Sequence, residues 1–242
     1  PLLVDINNDG VKDIVSSMRG RPESDEIDGF KMLHYGDYHW ALDGRTGKTL
    51  WMVASGAGIH SSPFYYEVNG EKRIALLDCY GEFKVVDLAG HVLSTANFGY
   101  GFFNSPVITQ DQHLVIGNYA VDYRDEFISI EEESGIPYLN GNAVSNGVKI
   151  DGNVSATTMI ADVLGTGKQQ AIGVSENGIL FITQTDGIEL KKYLLHKGAE
   201  ASVFIQDIDN DGFLEIIVAE LDGNLYCYKT KSKGKVEHGT FH

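Results

Sequence analysis

The chain has 242 residues, 43% of them hydrophobic, enough for a sizeable core in one domain or two. Nineteen basic residues stand against 34 acidic ones, and the formal net charge of −15 argues against nucleic acid or an anionic membrane surface as the main partner. No run approaches the roughly 18 apolar residues of a membrane-spanning helix, so no membrane insertion of this segment is expected.

In chain order, Pro1 stands directly at a strand, without a methionine or the pattern of a secretory leader, which predicts a segment of a longer protein. Residues 5–13 then read D-I-N-N-D-G-V-K-D. Asp5, Asn7, Asp9 and Asp13 put oxygen-bearing side chains at loop positions 1, 3, 5 and 9, with Gly10 at position 6. Hard cations such as Ca²⁺ take about six to eight oxygens, and a sharp turn must bring alternate residues round one point. Glycine permits that turn because it has no Cβ. A near copy, D-I-D-N-D-G-F-L-E, fills residues 207–215 and supplies Asp207, Asp209, Asp211 and Glu215. An EF-hand starts in the same way but needs a bidentate Glu at position 12, where this chain has Ser16 and Val218. Both copies run on into β-branched stretches, Ile14-Val15 and Ile216-Ile217-Val218, which predict strands. Two calcium loops inside β-hairpins are expected.

Aligning the chain on Gly10, Gly70, Gly167 and Gly212 discloses a repeat. Four residues later stand Ile14, Ile74, Ala171 and Ile216, each entering a strand. Eleven residues after the last three glycines come further turn glycines, Gly81, Gly178 and Gly223. The strand ahead of each loop also recurs, as S-P-F-Y-Y from Ser62, S-P-V-I-T from Ser105, S-A-T-T-M-I from Ser155 and S-V-F-I-Q from Ser202. Each copy reads as four strands joined by turns over roughly 40 to 50 residues, the period of a propeller blade. The expected fold is therefore all-β, a β-propeller of four-stranded antiparallel blades. Five copies are counted, at residues 1–58, 59–101, 102–152, 153–198 and 199–242. They either close as one ring or form an arc of a six- to eight-bladed one, and the sequence leaves both open.

Insertions fall between the second and third strands of the first copy (residues 17–38), near 118–126, and at 141–153 before the fourth copy. In a meander blade such loops leave the end opposite the calcium loops, so insertions are expected on one face and metals on the other. The acidic run Glu131-Glu132-Glu133 reads as a solvated turn. Cys79 and Cys227 read as buried thiols in strands of different repeats, with a disulfide as the alternative. Trp51 and the alternating Phe83, Val85, Leu180, Ile182, Leu225 and Tyr228 read as core.

The D-x-(D/N)-x-D-G-x-x-(D/E) loop followed by a β-branched strand resembles the FG-GAP or VCBS repeats of integrin-type propellers. Residues 41–51, A-L-D-G-R-T-G-K-T-L-W, resemble the repeat of quinoprotein (PQQ-type) propellers. The first resemblance implies an extracellular, cell-surface or periplasmic propeller whose calcium rigidifies the 1–2 hairpins. It adds the carbonyls of Val11 and Phe213 to the two ligand sets. The second copy has Tyr65, Glu67, Asn69 and Arg73 at the ligand positions, and the fourth has Asp162, Leu164, Thr166 and Gln170. Neither set suits calcium, so two sites are expected and not five.

For binding, His60 and Asn104 precede equivalent strands, and Tyr100, Phe102 and Phe103 lead into Asn104. His34, Tyr35, Tyr38, His39 and Trp40 flank the first insertion. Such aromatic and polar groups stack on and hydrogen-bond a sugar or a peptide. Two function classes follow. The first is a non-catalytic, calcium-stabilised module for adhesion or binding of protein or glycan, on the face away from the calcium. The second is a polysaccharide-degrading enzyme resembling the rhamnogalacturonan lyases, which needs a cationic group and a base. Arg19, Arg21, Arg124 and His60 are its available suppliers, and no spacing joins them into a constellation.

Overall fold

Alternating or continuous apolar runs between positive-φ glycine turns form the strands. The computed structural model describes residues 1–18, 26–31, 36–97, 104–109, 113–116, 126–133, 136–137, 148–152, 154–185 and 189–238, and no helix occurs among them. The chain divides into two compact units, Pro1–Pro106 with Glu133–Pro137, and Val107–Glu132 with Tyr138–His242.

The first unit holds two four-stranded antiparallel meanders. One runs Leu2–Val4, Asp13–Met18, Asp37–Leu42, Thr49–Ser55, and the next Phe64–Val68, Glu71–Leu77, Glu82–Asp87, Val92–Asn97. Their inward residues form one core in which Val15, Ala41, Trp51 and Val53 of the first sheet meet Ile74, Leu76 and Val86 of the second. Trp51 seals this junction. Its ring is 4% exposed, its Nε1 donates to the Leu88 carbonyl at 2.9 Å, and it packs so close to Gly90 that a Cβ there would overlap it.

The first insertion departs from expectation. It leaves from the end of the sheet opposite loop 5–13, yet its hairpin (Glu26–Ile27 with Phe30–Lys31) reaches back. The hairpin turns at Asp28 and Gly29, with φ of 49° and 86°, and the Asp28 carboxylate accepts the Thr49 N–H at 2.8 Å. Thr49 lies at the calcium-loop end, where it pairs with Leu42. The insertion therefore does not keep to the far face. Tyr38 and His39, offered above as binding residues, are buried at 4% and 2% exposure, and Trp40 donates its Nε1 to Thr49 Oγ1.

Burial of His39 has a consequence for pH. Desolvation, aided by the positive Lys84, drives its pKa down from 6.5 to about 3, so the folded chain holds it neutral. Below pH 6.5 the unfolded chain binds a proton on this imidazole that the folded chain refuses, so stability falls as pH drops. This contribution is about 1.4 kcal/mol per pH unit until the folded group itself titrates. His39→Gln removes it, and urea unfolding at pH 7 and pH 5 measures the difference.

In the second unit Val107–Ile108 pairs with His113–Ile116, which pairs with Glu126–Glu133. The acidic run expected as a turn is thus strand, because the alternation of F-I-S-I carries through Glu131, which pairs with His113. The fourth sheet runs Met159–Ala161, Gln170–Val174, Ile179–Gln184, Glu189–Leu194, and the fifth Phe204–Gln206, Glu215–Ala219, Leu225–Lys229. The core between them is aliphatic, led by Met159, Ile172, Val174, Ile205, Ile216 and Val218.

The fifth sheet has three strands among the described residues, where four were expected. Val236–His238 lies instead on the edge of Met159–Ala161 in the fourth sheet. The route is fixed at Asp162: its carbonyl accepts from Ser232 Oγ, and its N–H donates to the Lys235 carbonyl at 2.9 Å. Gly234 passes so close that a Cβ would overlap the Asp162 carbonyl oxygen. With no outer strand among these residues, Leu225 is 75% exposed and Cys227 is exposed, against the expectation of burial. No disulfide joins the two cysteines.

Candidate metal centre

Three of the hairpin loops share one backbone scaffold. Positions 4 and 6 take positive φ in each: Asn8 and Gly10 (59° and 82°), Gly165 and Gly167 (67° and 75°), Asn210 and Gly212 (59° and 86°). Asparagine tolerates this region and glycine enters it freely. The first aspartate then accepts two backbone N–H groups. Asp5 takes those of Asp9 and Gly10 at 3.1 and 3.0 Å, Asp162 those of Thr166 and Gly167 at 2.9 and 2.7 Å, and Asp207 those of Asp211 and Gly212 at 3.1 and 2.9 Å. The second copy has lost the loop. Asn69 and Gly70 form a two-residue turn between Val68 and Glu71, and Arg73 is buried against Glu71 at 2.7 Å.

The loops differ at position 9. Asp13 is fully buried and gives both oxygens to backbone donors: Oδ2 to Ile6 and Asn7 at 2.8 and 3.3 Å, Oδ1 to Gly44 at 2.8 Å. Glu215 is one methylene longer. Its Oε2 accepts the Ile208 N–H at 2.9 Å, while Oε1, buried, has no hydrogen-bond partner. Oxygens of Asp207, Asp209 and Glu215 lie within 4.8 Å of one another, the one such acidic group among the described residues. The donor set is all hard oxygen, with a buried carboxylate oxygen left over for a cation, and it fits Ca²⁺. The Asp5 loop fits less well, since its closing carboxylate already serves as a hydrogen-bond clamp.

Cationic side chains attend both loops. Arg45 bonds Asp9 through Nε at 2.9 Å to Oδ2 and through Nη2 at 3.2 Å to the carbonyl. It and the Val11 N–H hold the Asp9 carboxyl below its usual range. Lys229 Nζ lies 2.8 Å from Asp209 Oδ2 and 3.7 Å from Glu215 Oε1, and contacts Asp211 Oδ2. Asp209 and Asp211 push the Lys229 pKa up, and Lys229, with the Phe213 N–H, holds Asp211 down. In the fourth copy the Gln170 amide fills the loop, its Nε2 donating to Thr166 Oγ1 at 3.1 Å and to the Lys168 carbonyl.

A family model described as the lambda-carrageenase beta-propeller domain matches residues 170–238. No curated protein matches the chain in sequence. Among solved structures, a europium-containing methanol dehydrogenase aligns at 11% identity over 83% of this chain and 48% of its own, with a TM-score of 0.55. The quinohemoprotein alcohol dehydrogenase from Comamonas testosteroni aligns at 12% over 85% and 43%, also with a TM-score of 0.55. BBS1N, crystallised in complex with ARL6DN, aligns at 14% over 72% and 53%, with a TM-score of 0.51. The fold is a β-propeller. The chain spans about half the length of these structures.

Two of the five residues expected to bind a partner at the blade ends away from the cation loops fall among the described residues. His60 is exposed, whereas Asn104 is 2% exposed. Tyr100, Phe102 and Phe103 lie outside the described residues, as do His34, Tyr35, Arg19, Arg21 and Arg124. A cluster the sequence did not disclose stands at this end of the fifth blade. His196, from the connection after the fourth blade, stacks on Tyr226 with centroids 4.4 Å apart and planes 16° apart. Tyr226 donates its hydroxyl to Asp222 at 2.8 Å, and Tyr228 donates to the buried Glu220 at 3.3 Å. The only sequence signal was the Y-C-Y alternation, since His196 lies 30 residues from Tyr226.

Proposed function

We propose that this chain is a calcium-stabilised, non-catalytic propeller module of an exported protein, binding protein or glycan at the blade ends away from the cation loops. The observation that carries the calcium reading is the buried, hydrogen-bond-free Glu215 Oε1 beside Asp207 and Asp209. Loop 207–215 is the tighter site, and loop 5–13, with Asp5, Asn7, Asp9 and the Val11 carbonyl, is a weaker one. Weak oxygen sites fill where calcium is abundant, which supports an extracellular, cell-surface or periplasmic setting. The stacked His196 and Tyr226, half-open to solvent with Asp222 beside them, present a ring face and acceptors of the kind that sugars use.

Differential scanning fluorimetry with calcium and with a chelator tests the metal; unchanged melting would sink it. Affinity electrophoresis against a panel of polysaccharides tests recognition. Tyr226→Ala is expected to lose about fivefold in any glycan affinity while melting normally, since stacking contacts contribute on the order of 1 kcal/mol. The carrageenase-propeller match over residues 170–238 favours a second reading, in which the propeller belongs to a polysaccharide-degrading enzyme. Reducing ends or new ultraviolet absorbance released from a polysaccharide by the purified chain would establish that reading instead.

A further inference from the structure

We propose that Lys229 is a tethered cation that competes with calcium for the Asp207 loop and sets the affinity of that site. The proposal rests on the calcium reading of the loop and extends it to a residue outside the ligand pattern. Lys229 comes from the strand Leu225–Lys229 and is the cross-strand partner of Glu215. That register brings its Nζ to the carboxylates of Asp209, Asp211 and Glu215 at once. Glu215 Oε1, buried and without a hydrogen bond, points at the same place. The ammonium therefore stands among the oxygens that a divalent ion would use.

The sister loops show what the scaffold needs at this spot. In the fourth copy the Gln170 Nε2 lies against Asp162 Oδ1, Thr166 Oγ1 and the Lys168 carbonyl, which are loop positions 1, 5 and 7. There the closing side chain itself supplies the N–H donor, and the residue paired across from it, Gln184, is neutral. In the first copy Asp13 is bound by backbone N–H groups and Arg45 reaches Asp9 from the neighbouring turn. Each loop thus carries a donor of its own, differing in how it is held. Gln170 is locked inside, at 1% exposure, whereas Lys229 sits on a flexible four-carbon stem with its side chain 45% exposed. It is free to swing into water when a stronger cation arrives. A divalent ion carries twice the charge and gathers more of the oxygens at once, so it displaces the lysine, and the lysine lowers its apparent affinity in return.

The test compares wild type, Lys229→Met and Lys229→Arg by calorimetric titration with calcium, and by thermal melting in chelator and in saturating calcium. Met keeps the apolar stem and removes the charge. Lys229→Met is expected to bind calcium roughly tenfold tighter, as the loss of a small charge network predicts. It should melt below wild type in chelator, and the gap should close at saturating calcium. Lys229→Arg keeps the charge and should bind no tighter than wild type. Equal or weaker calcium affinity in Lys229→Met overturns the proposal and leaves the calcium site standing. Absence of both binding heat and a melting shift in wild type and Lys229→Met alike overturns the calcium reading, and the proposal with it. Should Lys229→Met fail to fold, Lys229→Gln carries the same comparison.

Discussion

If loop 207–215 binds calcium as proposed, Glu215→Gln is expected to remove most of the stabilisation that the ion gives. At calcium a hundredfold above its dissociation constant, a single site contributes about 2.7 kcal/mol, which for a chain of this size corresponds to about 5–10 °C in melting temperature. The substitution deletes the carboxylate whose Oε1 is buried without a hydrogen bond. It also recreates a loop the chain already contains, since Gln170 holds the same position in the fourth copy and fills the loop with its own Nε2. The variant should therefore fold, resist chelator at least as well as wild type, and respond little to calcium. Asp13→Asn gives the opposite pattern. It weakens three backbone N–H contacts to a buried carboxylate and so loses about 2–3 kcal/mol, with and without calcium alike. Melting curves of both variants, each in calcium and in chelator, check the pair.

Trp51→Ala has the largest expected effect on the fold itself, a loss of about 3–5 kcal/mol. The ring fills the junction between the first two blades against Gly90, and its Nε1 bond to the Leu88 carbonyl leaves an acceptor behind when lost. Leu225, on the third strand of the fifth blade and likewise expected in the core, sets the contrast. Leu225 is 75% exposed, so Leu225→Ala stays within about 0.5 kcal/mol of wild type. Urea unfolding of the two variants separates the predictions widely.

That contrast shows how far periodicity reads. Period two in L-W-M-V and in N-L-Y-C-Y marks strands equally well, but it reports only which residues share a face of the sheet. Whether a strand is covered depends on its neighbours, and among the described residues Leu225–Lys229 has no outer strand, while Trp51 and Val53 need none. The chain after Lys229 is diverted by Ser232 and Gly234 to Asp162, a contact across 70 residues that no local pattern announces. The loop scaffold itself was legible, because its glycines and Asx side chains act on backbone only a few residues away. The inequality of the two complete loops was not legible. Asp and Glu at position 9 both count as ligands in a pattern, and only their reach decides whether an oxygen is left for a cation. Lys229 and His196 escaped because their partners are distant in sequence: Glu215 across the strand pair for Lys229, and Tyr226 of the next blade for His196.

A crystal structure of the chain grown in millimolar calcium tests the account most directly. It should show an ion bonded to Asp207, Asp209 and Glu215 Oε1, with the Lys229 ammonium turned out to solvent. A calcium-soaked crystal in which Lys229 still holds Asp209, Asp211 and Glu215, with no ion in the loop, would contradict it.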